Sequence, residues 1–346
     1  MDSTLEEVAE RAGVSRSTVS RVINAHPSVR DATRARVEAA IQESGYRPHA
    51  VARSLATNRT HILGMVIPES VSKLFTDPYF PLMLRGATEA CNSRGYQLIL
   101  SLFTASVTPS VMHDQLARSG YLDGVVAANT SLDDGLIPRL LEDGIPFITV
   151  GRHPVDSVDY VDVDNVGGAR MAIEHLLRLG HRRVGTITGP LSMTPAQDRL
   201  DGFRSVMVAH RLPLSERLVA EGDFTEAGGR AAMTRLLEEE PTAVFAASDS
   251  MAIGAIKAIR NANLRVPEDI SVVGFDDVPS AVSIEPELTT VRQPIERLGQ
   301  LAVEILISRI EEKSHDAMTT QRIVLPTELV VRKSCAEPPR RGGPRT

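Results

Sequence analysis

From residue 62 to residue 276 short apolar runs alternate with helical stretches, and few folds accommodate that alternation. Strand-like runs occupy 62–68, 96–103, 124–129 and 146–151, and a second series occupies 183–189, 217–221, 242–248 and 270–276. Strands separated by helices predict parallel sheets covered by helices on both faces. Two series predict two α/β lobes, and 346 residues are enough for each to bury a core.

The first 24 residues differ in kind. Thr4-Leu5-Glu6-Glu7 has the form of a capping box, in which the hydroxyl accepts from the helix's third free N–H and the glutamate reaches back. Leu5, Val8, Ala9 and Ala12 recur at helical spacing and predict one face packed on a core. Gly13 supplies a turn whose left-handed backbone is cheap only for glycine. Ser15 then caps a second helix with Val14, Val19 and Val22 inward and Arg16, Ser17, Thr18, Ser20, Arg21 and Asn24 outward. Short or bidentate polar side chains, on a helix whose N-terminus favours anions, suit base edges and phosphates in a major groove. The expected DNA contacts are these outward residues together with Thr4 and Ser15. A third helix is expected over about 31–44, with Val37, Ala40 and Ile41 on the small core and Gly45 ending it. Arg47-Pro48 breaks the chain, and 50–56 suits one short helix, too short to be stable alone and therefore a natural hinge.

The run from Leu5 to Asn24, with Thr33-Arg34-Ala35-Arg36-Val37, Gly45-Tyr46-Arg47-Pro48 and Ala52-Arg53-Ser54-Leu55, resembles the headpiece of the lactose-repressor (LacI/GalR) family of bacterial transcription regulators. The likeness extends to about residue 332. It implies an α/β protein with an N-terminal helix-turn-helix headpiece (1–48) and a hinge helix and linker (49–60). A two-lobed core like that of periplasmic binding proteins follows. The family's crossover strands divide that core into an N-terminal lobe of 61–162 and 290–321 and a C-terminal lobe of 163–289 and 322–333. The Pro-, Gly- and Arg-rich segment 334–346 is expected to be disordered. In the family the hinge helices pair across a dimer and push a leucine into the operator's minor groove, where a wedge bends the duplex. Leu55 stands at that position, with Ala52 beside it in the hinge. The implied partners are a pseudo-palindromic double-stranded DNA operator, a small-molecule effector and a second copy of the chain.

Ligands of open α/β sheets bind at the carboxyl ends of strands, so polar and aromatic residues just past each run are the candidates. Asp276 ends an apolar run, Arg199 follows the strand ending at Gly189, and Phe224 follows Glu221-Gly222-Asp223. An arginine, a carboxylate and an aromatic plane suit a small polyhydroxylated ring, gripping its hydroxyls and stacking on its C–H face. The resemblance places these three at effector-contacting positions, with Ser248, Tyr79, Phe80, Arg152 and Asp164 beside them. One sugar-responsive branch has asparagine and tryptophan where this chain has Ser248 and Phe224, and the purine-responsive branch has arginine at Met193. A sugar, sugar acid or polyol is therefore the expected effector. Residues 69–77 form a longer loop after the first strand than many members have, beside the expected cleft.

Composition narrows the function further. The net charge is −6, yet residues 1–60 hold nine arginines, no lysine and seven carboxylates, which leaves −8 on the remainder. A basic head on an acidic body suits operator binding with limited non-specific affinity. The two cysteines make no disulfide framework, and no C-x-x-C or H-E-x-x-H supports a metal. No metal or other cofactor is expected. Neither a signal peptide nor an apolar run of about 20 residues appears, so a cytoplasmic protein without a membrane role is expected. No long leucine heptad ends the chain, which favours a homodimer over a tethered tetramer. Two alternatives remain: a sugar-binding protein without a DNA role, for which 61–332 alone would serve, and an enzyme using Asp276, Asp277 and Arg199. The absence of G-x-G-x-x-G, a P-loop or a nucleophile elbow weighs against the enzyme.

Overall fold

The computed structural model describes residues 4–23, 28–46, 59–102, 111, 121–128, 130–133, 135–312 and 319–339. The chain divides into two units, one ending at His61 and the other starting at Ile62. In the first unit, helices Leu5–Ala12, Arg16–Ile23 and Asp31–Ser44 enclose a core of Val8, Ala9, Ala12, Val19, Val22, Val37 and Ala40. Val14, Ile41 and Tyr46 pack against it half-buried. Gly13 sits at φ 63° with nothing near the position of a Cβ, so its conformation and not lack of space selects glycine. The expected hinge at 50–56, with Ala52 and Leu55, lies outside the described residues, as does Asn24.

Among the described residues the second unit holds two six-stranded sheets. Strands β1 (Ile62–Ile67), β2 (Gln97–Leu102), β3 (Gly124–Ala128), β4 (Phe147–Val150), β5 (Tyr160–Val163) and β11 (Arg322–Leu325) form the first, in the order β11-β5-β4-β3-β1-β2. Strands β6 (Val184–Thr188), β7 (Val219–Glu221), β8 (Ala243–Ala246), β9 (Ser271–Asp276), β10 (Thr289–Arg292) and β12 (Glu328–Val330) form the second, in the order β12-β10-β9-β8-β6-β7. All pairs are parallel except β10 with β12. Every residue of β3, β6, β8 and β9 is buried, as parallel strands covered on both faces require.

Each lobe is covered by a helix pair that packs backbone to backbone. Helices Tyr79–Ser93 and Ile295–Glu311 meet at Gly86 and Gly299, where an added Cβ would lie 1.9 Å from the Glu296 carbonyl oxygen and 2.2 Å from that of Met83. Gly229 and Gly254 make the equivalent approach between Glu226–Leu236 and Asp249–Asn261. Among the described residues no helix is long and apolar enough to cross a membrane.

Four findings depart from the sequence reading. Residues 290–292 pair with β9 in the second sheet, so the crossover to the first lobe falls after residue 292 and not at 290. Strand β5 lies outside the apolar runs of the sequence, because four residues interrupted by Asp162 make no such run. Residues 322–325 join the first sheet, with Arg322 opposite Tyr160 and Leu325 opposite Val163, so the last return to the second lobe falls after residue 325 and not at 322. The tail is ordered at its start: the Ser334 hydroxyl donates to the Val272 carbonyl at 2.6 Å and accepts from the Thr289 N–H at 2.8 Å. His181 holds the Ala336 carbonyl at 2.9 Å, and residues 340–346 lie outside the described residues.

Candidate functional site

The carboxyl ends of both sets of strands deliver polar side chains to two adjoining cavities of about 60 and 40 Å³. The larger is lined by Lys73, Asp77, Tyr79, Phe80, Pro195, Arg199, Phe224, Ser248, Asp276 and Gln293. The smaller shares Tyr79, Pro195, Arg199 and Gln293, and adds Arg152, Asp162, Met193 and Thr194 among others. Residues from both lobes therefore face one another across a single cleft. Of the eight expected effector residues, seven line these cavities.

Arg199 is the centre of the arrangement. It lies on helix Thr194–Ala209, whose first turn carries Pro195, a residue suited to a helix start. Its guanidinium is buried, donating from Nε to Asn165 Oδ1 at 2.8 Å and from Nη1 to the Ala247 carbonyl at 2.5 Å. It stacks on the Phe275 ring with 3.7 Å from Cζ to the centroid, and Asp276 Oδ1 stands 3.8 Å from Nη1. Burial pulls its pKa down, while Asp276 and other nearby groups oppose that shift.

Asp276 ends β9 at φ 117°, a conformation rare for a side-chain-bearing residue, and so carries backbone strain at the cleft. Its Oδ1 accepts from Gln293 Nε2 at 2.5 Å. Burial pushes the carboxyl up to about 7 despite the opposing guanidinium, so desolvation outweighs the long ion pair here. Phe224 is also in the left-handed region, at φ 64°, with its ring filling the space beside Gly189 where a Cβ would clash. Tyr79 and Phe80 meet edge to face at 5.5 Å. Ser248 lines the cavity and caps helix Asp249–Asn261, accepting from the Met251 N–H at 3.2 Å.

Arg152 reaches the smaller cavity with its guanidinium held by Asp198, at 3.1 Å from Nε and 2.7 Å from Nη2. Asp164 does not line either cavity. Its Oδ1 accepts from the Gly167 N–H at 2.7 Å as the N-cap of Asn165–Arg178. Asp162, two residues earlier, lines the smaller cavity, held by the Arg152 N–H at 2.8 Å and Asn165 Nδ2 at 2.9 Å. Sequence reasoning also missed Lys73, Asp77, Gln293 and the fully buried Asp249. Asp249 accepts from Thr290 Oγ1 at 2.5 Å and the Val278 N–H at 3.0 Å, and burial with Asp276 nearby raises its pKa well above the usual range. Asp277 is tied to Arg292 and Arg332 at 2.7 and 2.6 Å, which makes it structural.

In the first unit, the Thr4 capping box is complete, with Glu7 N–H to Thr4 Oγ1 at 3.3 Å and Thr4 N–H to Glu7 Oε2 at 3.2 Å. Ser15 Oγ accepts from the Thr18 N–H at 3.2 Å and sits 2.8 and 2.9 Å from the Ser17 and Thr18 hydroxyls. The second helix thus opens on a cluster of hydroxyls beside exposed Arg16 and Arg21, while Val19 and Val22 are buried beneath. Arg16 Nη1 pairs with Glu6 Oε1 at 2.9 Å, with 71% of the arginine side chain exposed. Thr18 and Ser20 are half-buried on the flanks of that surface.

Residues 4–49 match bacterial regulatory proteins of the lacI family, and residues 173–335 match a periplasmic binding protein-like domain. The HTH-type transcriptional regulator CelR of Thermobifida fusca is 42% identical over 336 residues, covering 96% of this chain and 98% of that protein. Among solved structures, a transcriptional regulator CelR–cellobiose complex superposes with a TM-score of 0.76 at 40% identity, covering 96% of this chain and 99% of that one. The lac repressor dimer bound to operator and the anti-inducer ONPF superposes with a TM-score of 0.81 at 30% identity, covering 97% and 100%.

Proposed function

Because the chain belongs to the LacI family of bacterial regulatory proteins, we propose that this DNA-binding repressor answers to a sugar held between its two α/β lobes. It is a regulator and not an enzyme, so Arg199 and Asp276 bind and do not turn over a substrate. The observation that carries the reading is the wall of the larger cavity, where buried Arg199, Asp276 and Gln293 stand with the Phe224 ring. Arginine and glutamine donate to hydroxyl oxygens, the carboxylate accepts from hydroxyls, and the ring stacks on C–H groups. Cationic and anionic side chains are both present around the cavities, which suits a neutral polyhydroxylated ligand. The cellobiose complex of a relative at 40% identity adds support.

On this reading Arg16 contacts a guanine bidentately, and Thr4, Ser15, Ser17, Thr18, Ser20 and Arg21 share base and phosphate contacts. Asn24, and Ala52 and Leu55 of the hinge, extend that surface. Two copies in the cytoplasm place two such helices on a pseudo-palindromic operator. Cavities of 60 and 40 Å³ hold only a few waters, so a sugar ring enters only if the lobes part or side chains withdraw. Uptake thereby acts on the lobe angle, and the ligand shifts DNA affinity by binding the two states unequally.

The test is selection of genomic fragments on the full chain at two salt concentrations, repeated with cellobiose, glucose, ribose and hypoxanthine. An enriched pseudo-palindrome whose occupancy one sugar alters supports the proposal. DNA bound without a shared site, or a response to hypoxanthine alone, overturns it.

A further inference from the structure

The loop after β1 carries a short helix, Val71–Thr76, and on it Lys73, which lines the larger cavity. Ser70 starts the helix by accepting from the Lys73 N–H at 3.2 Å, which fixes the backbone from which the lysine projects. The ammonium donates to Glu69 Oε1 at 2.6 Å, one turn back on the same segment. It also donates to the backbone carbonyl of Asp223 at 3.0 Å, which belongs to the opposite lobe, just past β7. The Phe224 ring centroid lies 5.9 Å from Nζ, near the outer limit of a cation–π contact. Only 12% of the lysine side chain and 18% of the Glu69 side chain are exposed, so the pair is largely withdrawn from water. An ammonium has three N–H donors. Glu69 and Asp223 take two, and Lys73 also lines the larger cavity beside Phe224.

Building on the sugar reading above, we propose that Lys73 determines effector specificity by closing the Phe224 end of the cleft. Its third N–H donates to an oxygen of the ring seated on Phe224. The bridge to Asp223 ends the binding site there, so the ring on Phe224 is the last one the site admits. Glu69 positions the ammonium and balances its charge. The ligand class that fits is a short saccharide with its terminal ring at this end, and longer chains meet the bridge.

The test uses the full chain and calorimetric titration with glucose, cellobiose and cellotriose, on the wild type, Lys73→Ala and Glu69→Gln. The expected result is about a tenfold loss of affinity for the short sugar that the wild type binds in Lys73→Ala, with a smaller loss in Glu69→Gln. The preference for that sugar over cellotriose narrows in Lys73→Ala. Unchanged affinity and unchanged preference overturn the proposal. Hydrogen exchange of the same variants without sugar tests the bridge by itself. Removal of the ammonium speeds amide exchange across residues 223–228 while the rest of the second lobe keeps its protection. If the wild type binds none of these sugars and ribose leaves operator occupancy unaltered, the sugar reading fails; faster exchange at 223–228 then still supports the bridge. Exchange there equal to wild type overturns the bridge whatever the sugars do.

Discussion

Arg16 and Arg199 are the two arginines that the proposed function assigns to partners, and the structure holds them in opposite ways. Arg16 stands on an exposed helix surface, paired with Glu6 at 2.9 Å through side chains that are 71% and 62% exposed. Arg199 is buried, clamped by Asn165, the Ala247 carbonyl and the Phe275 ring, with Asp276 beside it. An exposed ion pair is worth little and breaks readily, so Arg16 is free to exchange Glu6 for a base or phosphate. A buried charge is costly to leave without its partners, so Arg199 is part of the lobe's stability as well as its chemistry. The DNA surface is thus built for exchange of partners, and the cleft for a fixed geometry into which a ligand must fit.

The largest test of that contrast is Arg199→Ala. Removing one member of a buried pair typically costs about 3–5 kcal/mol, and Asp276 is left without the cation 3.8 Å away. A fall in melting temperature together with loss of effector response is the expected outcome, read by calorimetry on the full chain. A variant that melts like the wild type would break the comparison. Arg16→Ala should behave in the opposite way. Discrimination at one operator position falls by about 1–3 kcal/mol, while the melting temperature barely moves, because the lost pair with Glu6 is exposed. Site selection by sequencing reads the first and thermal unfolding the second; retained base preference at every position refutes the groove contact.

The same contrast decided what the sequence could reveal. The helix-turn-helix lies within 21 consecutive residues, and its buried positions recur at helical period, so Val8, Val19 and Val22 were legible as core. The cleft is assembled from residues that follow many different strands. Arg199, Phe224 and Asp276 were legible because each comes just after an apolar run. Gln293 was not, since it reaches the site through a crossover whose destination only the sheet order shows. Asp162 and Asp164 are two residues apart near the end of one strand. Which one faces the cavity depends on where β5 stops and the helix begins, and that strand itself was invisible behind its aspartate. Residues 322–325 fit the edge of either sheet by composition, and only the register with β5 assigns them. Lys73 belongs to the longer loop, where periodicity has nothing to report.

Acidity sharpens the contrast at the next level of effect. Asp276 has its pKa raised to about 7 by burial, within a group that includes Arg199, Asp77 and Lys73 on the cavity wall and Asp249 behind it. For stability, a raised carboxyl pKa gives a contribution present below the ordinary value near 3.8 and lost as pH rises through about 7. For ligand binding the sign reverses, because the carboxylate is the acceptor for a hydroxyl. Effector affinity should fall by about tenfold between pH 8 and pH 6, whereas operator affinity without effector changes far less over that range. Titrations at the two pH values, repeated on Asp276→Asn, check this: the variant should lose the pH dependence. A slope that persists in Asp276→Asn assigns the titration to another group.

The smallest expected effect falls on the first unit and concerns its folding. Thr4 closes a complete capping box on Leu5–Ala12, and both of its bonds are exposed. Thr4→Ala removes the hydroxyl acceptor for the Glu7 N–H and leaves Glu7 to reach back alone, a loss of about 1 kcal/mol for a typical cap. Among the described residues the core of this unit has seven buried hydrophobic residues, four of them valine and three alanine, so little other burial offsets the loss. Hydrogen exchange should therefore quicken across 5–12 and leave the two α/β lobes unchanged, since they form a separate unit. Thr4→Ser, which restores the acceptor, should return exchange nearly to the wild-type rate. If Thr4→Ala weakens operator binding while exchange stays at wild-type rates, Thr4 acts on DNA directly. Equal loss in both variants would show that the methyl group matters more than the cap.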